Sequence, residues 1–248
     1  MKAVLTCSRT MASLHSVYSS CGGQMNTAGV CEPSLERAEQ LLKCDGVVAL
    51  PTDTIYGICC LAQRAPPVHR LYEIKRRQAV KPVAICVAQV EDIHRWAHVC
   101  VQDSLLHDLL PGPVTLVFNR KARLNPLLNP QTQRIGIRIP DHAFVRQLCF
   151  RLNEPLALTS ANISDAGSCA SVGEFCSIWP QLDAVFDGGP LGVLDPLKLG
   201  STVVDLSSTG NYEIIRDGCA LKQVKEILTK HRLKPLLQRP TATATNEL

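Results

Sequence analysis

A chain of 248 residues with 46% hydrophobic content can bury a full core, and its formal net charge of +4 is too small for a protein whose main task is to coat nucleic acid. No uninterrupted apolar run of about 18 residues occurs, which argues against a membrane-spanning helix. The twelve cysteines include no Cys-x-x-Cys pair and no Cys/His cluster at zinc spacing, so they read as reduced small hydrophobes in a reducing compartment.

Residues 1–31 precede or flank the first acidic residue, Glu32, and carry Lys2, Arg9 and many Ser and Thr residues without an apolar stretch suited to secretion. They read as a disordered leader with weak transit-peptide character. The folded domain is expected over 32–233, and the Pro- and Thr-rich tail 234–248 is expected to be disordered. Ser34 is predicted to cap a helix through Leu35, Ala38, Leu41 and Leu42 that stops at Asp45-Gly46. The apolar run 47–50 has the character of a buried strand and ends at Pro51, which makes 52–57 a loop leaving a strand end.

Val68, Leu71 and Ile74 recur at helical spacing and predict a helix from Pro66 to Lys75, with Arg77 just beyond it. A strand over 82–87, helices near 90–96 and 104–110, and a strand over 114–118 carrying Thr115 follow. Residues 135–139 alternate cleanly, with three isoleucines on one face and Gly136 with Arg138 on the other. A helix near 142–152 leads to a strand over 156–159, and further strands are predicted at 183–186, 202–205 and 212–216 before a last helix through Leu221, Val224, Ile227 and Leu228. Strands and helices alternate throughout, so the expected fold is α/β, a single-domain twisted mixed sheet flanked by helices.

The chemistry-bearing residues are split along the chain. Lys75 can act as a point charge on a phosphate and Arg77 as a planar fork, although a basic helix end stabilised by its dipole is the ordinary alternative. Ser160 and Asn162 follow a buried-type strand, where open α/β sheets place their sites, and could hold phosphate oxygens or waters on Mg²⁺; turn capping is the other reading for Asn162. Ser168 lies in the same loop. Arg138, a lone charge in an apolar strand, must face solvent or meet an anion. Ser201 and Thr202 after Gly200, and Arg216 before Asp217-Gly218, add hydroxyls and a further cation. No Gly-x-x-x-x-Gly-Lys-Ser/Thr loop and no Gly-x-Gly-x-x-Gly turn is present, and no histidine has the context of a hydrolytic triad.

Seven strings carry a resemblance: Pro51-Thr52-Asp53-Thr54-Ile55-Tyr56-Gly57, Lys75-x-Arg77, Leu110-Pro111-Gly112-Pro113-Val114-Thr115, Gly136-Ile137-Arg138-Ile139-Pro140, Thr159-Ser160-Ala161-Asn162, Gly200-Ser201-Thr202 and Ile215-Arg216-Asp217-Gly218. In this order the chain resembles the YrdC/Sua5 family in its shorter YrdC form, without the second domain of Sua5-type members. The resemblance implies a YrdC-like fold around a basic cavity and an L-threonylcarbamoyl-AMP synthase, a nucleotidyltransferase using ATP, L-threonine and bicarbonate for modification of tRNA adenosine beside the anticodon. Carried over by position, Lys75, Arg77, Thr115, Ser160, Asn162, Ser168 and Arg216 would contact ATP, with Lys75 and Arg77 catalytic, and Thr52, Arg138 and Ser201 would bind threonine. Mg²⁺ would enter with ATP, without direct protein ligation beyond a contribution from Ser160 and Asn162. The product would pass to the KEOPS-type transferase complex and its mitochondrial counterpart, so tRNA is met only indirectly and the location is cytoplasmic and mitochondrial. Gln78 stands where many members have proline, which leaves the loop to Lys81-Pro82 less rigid.

The competing class is a double-stranded RNA or tRNA binding module without its own catalysis, which the mild charge and 4% aromatic content disfavour. A carbamoyl-adenylate domain of hydrogenase maturation would share the chemistry, but the zinc-binding cysteine pairs of those proteins are missing.

Overall fold

Side chains alternate across each strand, and this alternation divides the molecule into two cores on opposite faces of one sheet. The computed structural model describes residues 17–19, 31–76, 82–163, 167–193 and 195–236. Among them the first strands are β1 (Val17–Ser19), β2 (Val48–Leu50), β3 (Gly57–Leu61), β4 (Ala84–Cys86), β5 (Ala97–His98) and β6 (Val114–Arg120). The rest are β7 (Arg134–Arg138), β8 (Leu156–Ser160), β9 (Ala184–Asp187), β10 (Thr202–Asp205), β11 (Asn211–Arg216) and β12 (Lys234–Pro235). They form one 12-stranded sheet in the order β1-β9-β2-β3-β8-β4-β7-β6-β10-β11-β12, with β5 paired to β6. Parallel and antiparallel pairs mix, as β4 with β7 and β6 with β7 illustrate, so the α/β mixed-sheet expectation holds.

On one face lie α2 (Ala65–Ile74), α3 (Val90–Trp96), α4 (Asp103–Leu109) and α6 (Leu221–Lys230). Their buried stripes, such as Val68, Leu71 and Ile74 of α2, meet Ile85, Leu116, Ile135 and Ile137 from the strands. On the other face α1 (Glu32–Lys43) and α5 (Ala143–Leu152) bury Leu35, Ala38, Leu42, Val145 and Leu148 against Leu50, Cys59, Leu61 and Leu156. These two helices reach only part of that face. Farther along the same strands the positions pointing to it are Gly57, Ala84, Thr115, Gly136, Ser160 and Val203, small or polar residues that leave a hollow.

Several local expectations are corrected. Ser34 does not cap α1: the helix begins at Glu32 after Cys31, Pro33 fits a first turn that needs no N–H donor, and the Ser34 hydroxyl donates to Cys31 Sγ at 3.3 Å. The segment after the 52–57 loop is strand β3, hidden in the sequence because its run Gly57-Ile58-Cys59-Cys60-Leu61 is buried on both sides and so does not alternate. Val172–Gln181 forms a 3₁₀ segment with Pro180 inside it, which the reading of the sequence did not contain. Arg77, with Gln78 and Lys81, lies outside the described residues, as do residues 237–248 and most of 1–30.

One buried amide ties the loop after β6 to the start of β4. Asn129 is fully buried with φ +55°, a backbone region that asparagine tolerates better than most residues. Its Oδ1 accepts the Val83 N–H at 2.7 Å and its Nδ2 donates to the Val83 carbonyl at 2.8 Å, so the side chain takes the place of a neighbouring strand. The Tyr72 hydroxyl donates to the same Oδ1 at 3.1 Å and accepts the Asn129 N–H at 3.0 Å, which locks in α2 as well. Replacing Asn129 with Ala strands both backbone groups of Val83, and at about 1–3 kcal/mol for each unsatisfied buried group the variant is expected to lose roughly 2–6 kcal/mol. Denaturant unfolding with the slope unchanged and the midpoint lowered checks this; a midpoint equal to the wild type refutes it.

Candidate active site

The uncovered part of the sheet face forms a cavity of about 810 Å³. Its floor is β6, β7 and β8, and its rim is built by the loop after β2, the turn before β10 and the end of β11. Thr52, Thr115, Arg138, Ser160, Ser201 and Arg216 all line it, so residues separated by more than 160 positions in sequence share one hollow.

Arg138 sits at the end of β7 with only 8% of its side chain exposed, facing Asp53, whose side chain is fully buried. Its Nη2 donates to Asp53 Oδ1 at 2.5 Å and lies 3.3 Å from Thr54 Oγ1. Asp53 Oδ2 accepts the Asp141 N–H at 3.0 Å, so both carboxylate oxygens are engaged. The Arg138 Nε–H is buried with no partner. Across the cavity Arg216 Nη2 donates to the Ser201 carbonyl at 2.7 Å and to Ser201 Oγ at 3.0 Å. Gly200 has φ +74°, and a Cβ there would sit 3.4 Å from Arg216 Nη2, so glycine both permits the turn and lets the guanidinium lie over it. Desolvation, and then the nearby Arg138 charge, pull the Arg216 pKa below the usual arginine value. Arg134 lines the hollow as well, paired with Asp205, and three guanidiniums set against the carboxylates of Asp53 and Asp205 favour an anionic guest.

Lys75, at the C-cap of α2, is 2% exposed and points beneath the turn after β8. Its Nζ donates to the Ser160 carbonyl at 2.7 Å and to Asn162 Oδ1 at 2.7 Å, with Ser160 Oγ at 3.3 Å and the Asn162 carbonyl in close contact. An ammonium has three N–H donors, so these four oxygens enclose it. This is neither a solvated helix end nor a bare point charge: the cation organises the Ser160 to Asn162 turn. The Ser160 hydroxyl completes it by donating to Asn162 Oδ1 at 2.5 Å. The turn is also sewn to the 52–57 loop, because the Ala161 N–H donates to the Tyr56 carbonyl at 2.8 Å.

The remaining predicted residues divide. Thr115 Oγ1 and Ser201 Oγ are 2.8 Å apart and both buried, joining β6 to the turn before β10. Thr52 is buried, and its hydroxyl donates to the Ile55 carbonyl at 2.7 Å, shaping its own loop. Gly136 serves its neighbour before any ligand, since a Cβ there would lie 3.0 Å from Thr115 Cγ2. Asn162 and Ser168 line a second hollow of about 720 Å³ beside the first, floored by Phe175 and Ile178 and rimmed by the Glu174 and Lys198 pair at 2.6 Å. Ser160 and Asn162 are poor direct ligands for Mg²⁺, because the Lys75 ammonium already occupies the oxygens a metal would need. Among the described residues no group of three or more His, Cys, Asp or Glu could hold a metal ion.

Asp53 was not singled out from the sequence. The signal was available: a buried strand arginine needs a carboxylate, and Asp53 is the acid in the loop that leaves a buried strand.

The Sua5/YciO/YrdC family model, described as telomere recombination, matches residues 40–218. The threonylcarbamoyl-AMP synthase of Bos taurus is 48% identical over 204 residues, 82% of this chain and 74% of its own length. That of Homo sapiens is 48% identical over 205 residues, with the same coverage of both chains. Among solved structures, P. abyssi Sua5 complexed with L-threonine superposes with a TM-score of 0.76 at 23% identity, covering 89% of this chain and 62% of that one, which shows the fold. The chain belongs to the Sua5/YciO/YrdC family.

Proposed function

We propose that the sheet-face cavity is where this chain, a threonylcarbamoyl-AMP synthase like the relatives it matches over most of their length, joins L-threonine, bicarbonate and ATP. The observation that carries this reading is the enclosure of Arg138 and Arg216 in one hollow whose near carboxylate, Asp53, is already committed. Such a site has spare positive charge for a carboxylate and phosphates, and its enclosed shape suits small molecules better than a duplex.

In this reading the threonine amine adds to carbon dioxide formed from bicarbonate, making an N–C bond and releasing a proton to water. A carbamate oxygen then attacks the α-phosphorus of ATP as the bond to pyrophosphate breaks. No protein nucleophile is required. The protein aligns the two reactants and offsets the charge gathering on the phosphates. Arg138, Thr52 and Ser201 serve the amino-acid side, and Thr115, Ser160, Arg216 and the Lys75-ordered turn serve the nucleotide, with Asn162 and Ser168 reached from the adjoining hollow. Arg77 is assigned to the phosphates by its place two residues after Lys75. Mg²⁺ would come with the nucleotide, bound by its phosphates and water, and would neutralise phosphate charge.

The acyl-adenylate product is reactive, so a transferase must consume it; the KEOPS-type complex and its mitochondrial counterpart are the receivers this reading names. No helix among the described residues is long and apolar enough to cross a membrane. A mitochondrial pool would depend on the leader, and deleting residues 1–30 is expected to abolish mitochondrial signal in cells; an unchanged signal removes that assignment.

Mass detection of threonylcarbamoyl-AMP from purified chain, ATP, L-threonine and bicarbonate tests the activity, with pyrophosphate release expected to need threonine but no RNA. A strict requirement for added RNA would turn the assignment toward an RNA-binding module. Lys75→Met keeps much of the side-chain volume but removes all donors from the enclosed oxygens. Product formation is expected to fall by about 100-fold or more. The melting temperature is expected to drop by roughly 5–10 °C as buried acceptors lose their partner. Single-turnover assays beside thermal unfolding check both effects, and wild-type turnover excludes Lys75 from the reaction.

A further inference from the structure

The Arg138 and Asp53 pair is more than an internal ion pair, because it uses only one end of the guanidinium. A guanidinium carries five N–H groups in a fixed plane. In Arg138, Nη2 is spent on Asp53 Oδ1 at 2.5 Å, while Nε is buried and has no acceptor. Arg138 nevertheless lines the cavity, so the orphan belongs to a side chain already at the wall of a hollow. Orphaned buried donors are rare in folded proteins, and this one marks a guanidinium whose bonds within the protein are incomplete.

Asp53 is equally constrained on its other side. Its Oδ2 accepts the Asp141 N–H at 3.0 Å, which ties the carboxylate to the turn between β7 and α5. That bond prevents the carboxylate from swinging away with the arginine. The fork of Arg138 is therefore fixed at one end by a carboxylate that is itself anchored to backbone. His142 lies next in the chain, and burial, working against the Asp53 and Asp141 charges, lowers its pKa, which favours a neutral ring beside the pair. With a neutral imidazole there, Asp53 remains the counter-charge to Arg138.

We propose that Asp53 is a positioning residue for the amino-acid substrate: by clamping one end of Arg138 it presents the free edge of the guanidinium to the carboxylate of threonine. This rests on the cavity being the synthase site. Asp53 itself touches no substrate in this arrangement, and its whole effect passes through Arg138.

The test uses the full chain carrying Asp53→Asn, Arg138→Gln, or both, assayed for threonylcarbamoyl-AMP over a range of threonine and ATP concentrations, with thermal unfolding alongside. For Asp53→Asn the KM for threonine is expected to rise about 10- to 100-fold, the loss of one charged hydrogen bond, with the KM for ATP nearly unchanged. The double variant, which neutralises both members, is expected to match Arg138→Gln alone, because Asp53 has nothing left to position. If Asp53→Asn is too unstable to assay for want of its buried counter-charge, the neutral double variant set against Arg138→Gln still decides the matter. A wild-type threonine KM in Asp53→Asn, an equal rise in both KM values, or a further loss in the double variant beyond Arg138→Gln overturns the inference. Absence of threonine-dependent product from the wild-type chain overturns the underlying site assignment instead, so the two failures are distinct.

Discussion

Coverage of one sheet face governs this molecule. Every strand presents side chains to both faces, and a face left without helices must carry residues that tolerate an empty space or a polar guest. Here α1 and α5 stop short, and the strands respond within a single pleat: β8 passes from Leu156 and Leu158, packed under the helices, to Ser160 in the hollow. β3 makes the same change from Leu61 and Cys59 to Gly57. The opposite face shows no such transition, and its Ile58, Ala157 and Ile137 are buried throughout. The site is the continuation of the core beyond its helical cover.

Placing charge in such a hollow is costly unless each group is held. Arg134 at the wall pairs with Asp205, and Lys75, Arg138 and Arg216 meet this need in three different ways. Lys75 is enclosed by carbonyl, hydroxyl and amide oxygens, Arg138 by a buried carboxylate, and Arg216 by the Ser201 carbonyl and hydroxyl. Of these three only the second is a true ion pair, and breaking a buried pair of that kind generally costs about 3–5 kcal/mol because the survivor is left uncompensated. The other two draw on dipoles, which hold a cation without cancelling its charge. Net positive potential is thereby preserved at the rim while the fold remains intact.

Much of this was legible in the sequence, for identifiable reasons. The alternation of Ile135, Gly136, Ile137 and Arg138 placed the arginine on the correct face, because period-two patterning survives wherever one side of a strand is core and the other is not. Where both sides are core the pattern vanishes, and β3, which follows directly on the 52–57 loop, has no strand signal in the sequence. The joining of residues 52, 138, 160, 201 and 216 followed from motif order through resemblance, not from periodicity, since strand order in a mixed sheet is set by long-range pairing. What could not be read was partnership. Nothing in Lys75-x-Arg77 says that the lysine would turn inward to the Ser160 carbonyl, and nothing around Asn129 says that its amide would stand in for a strand.

That amide also bears on chemical durability. Asparagine side chains age by deamidation when the backbone nitrogen of the following residue attacks the amide carbon, and the residue after Asn129 is Pro130, whose nitrogen carries no hydrogen. The Asn129 amide is in addition fixed by bonds to Val83 at both its oxygen and its nitrogen, away from the backbone that would have to attack it. The polar group that the start of β4 leans on most heavily is therefore shielded by its own neighbour from the reaction that would turn it into a buried carboxylate.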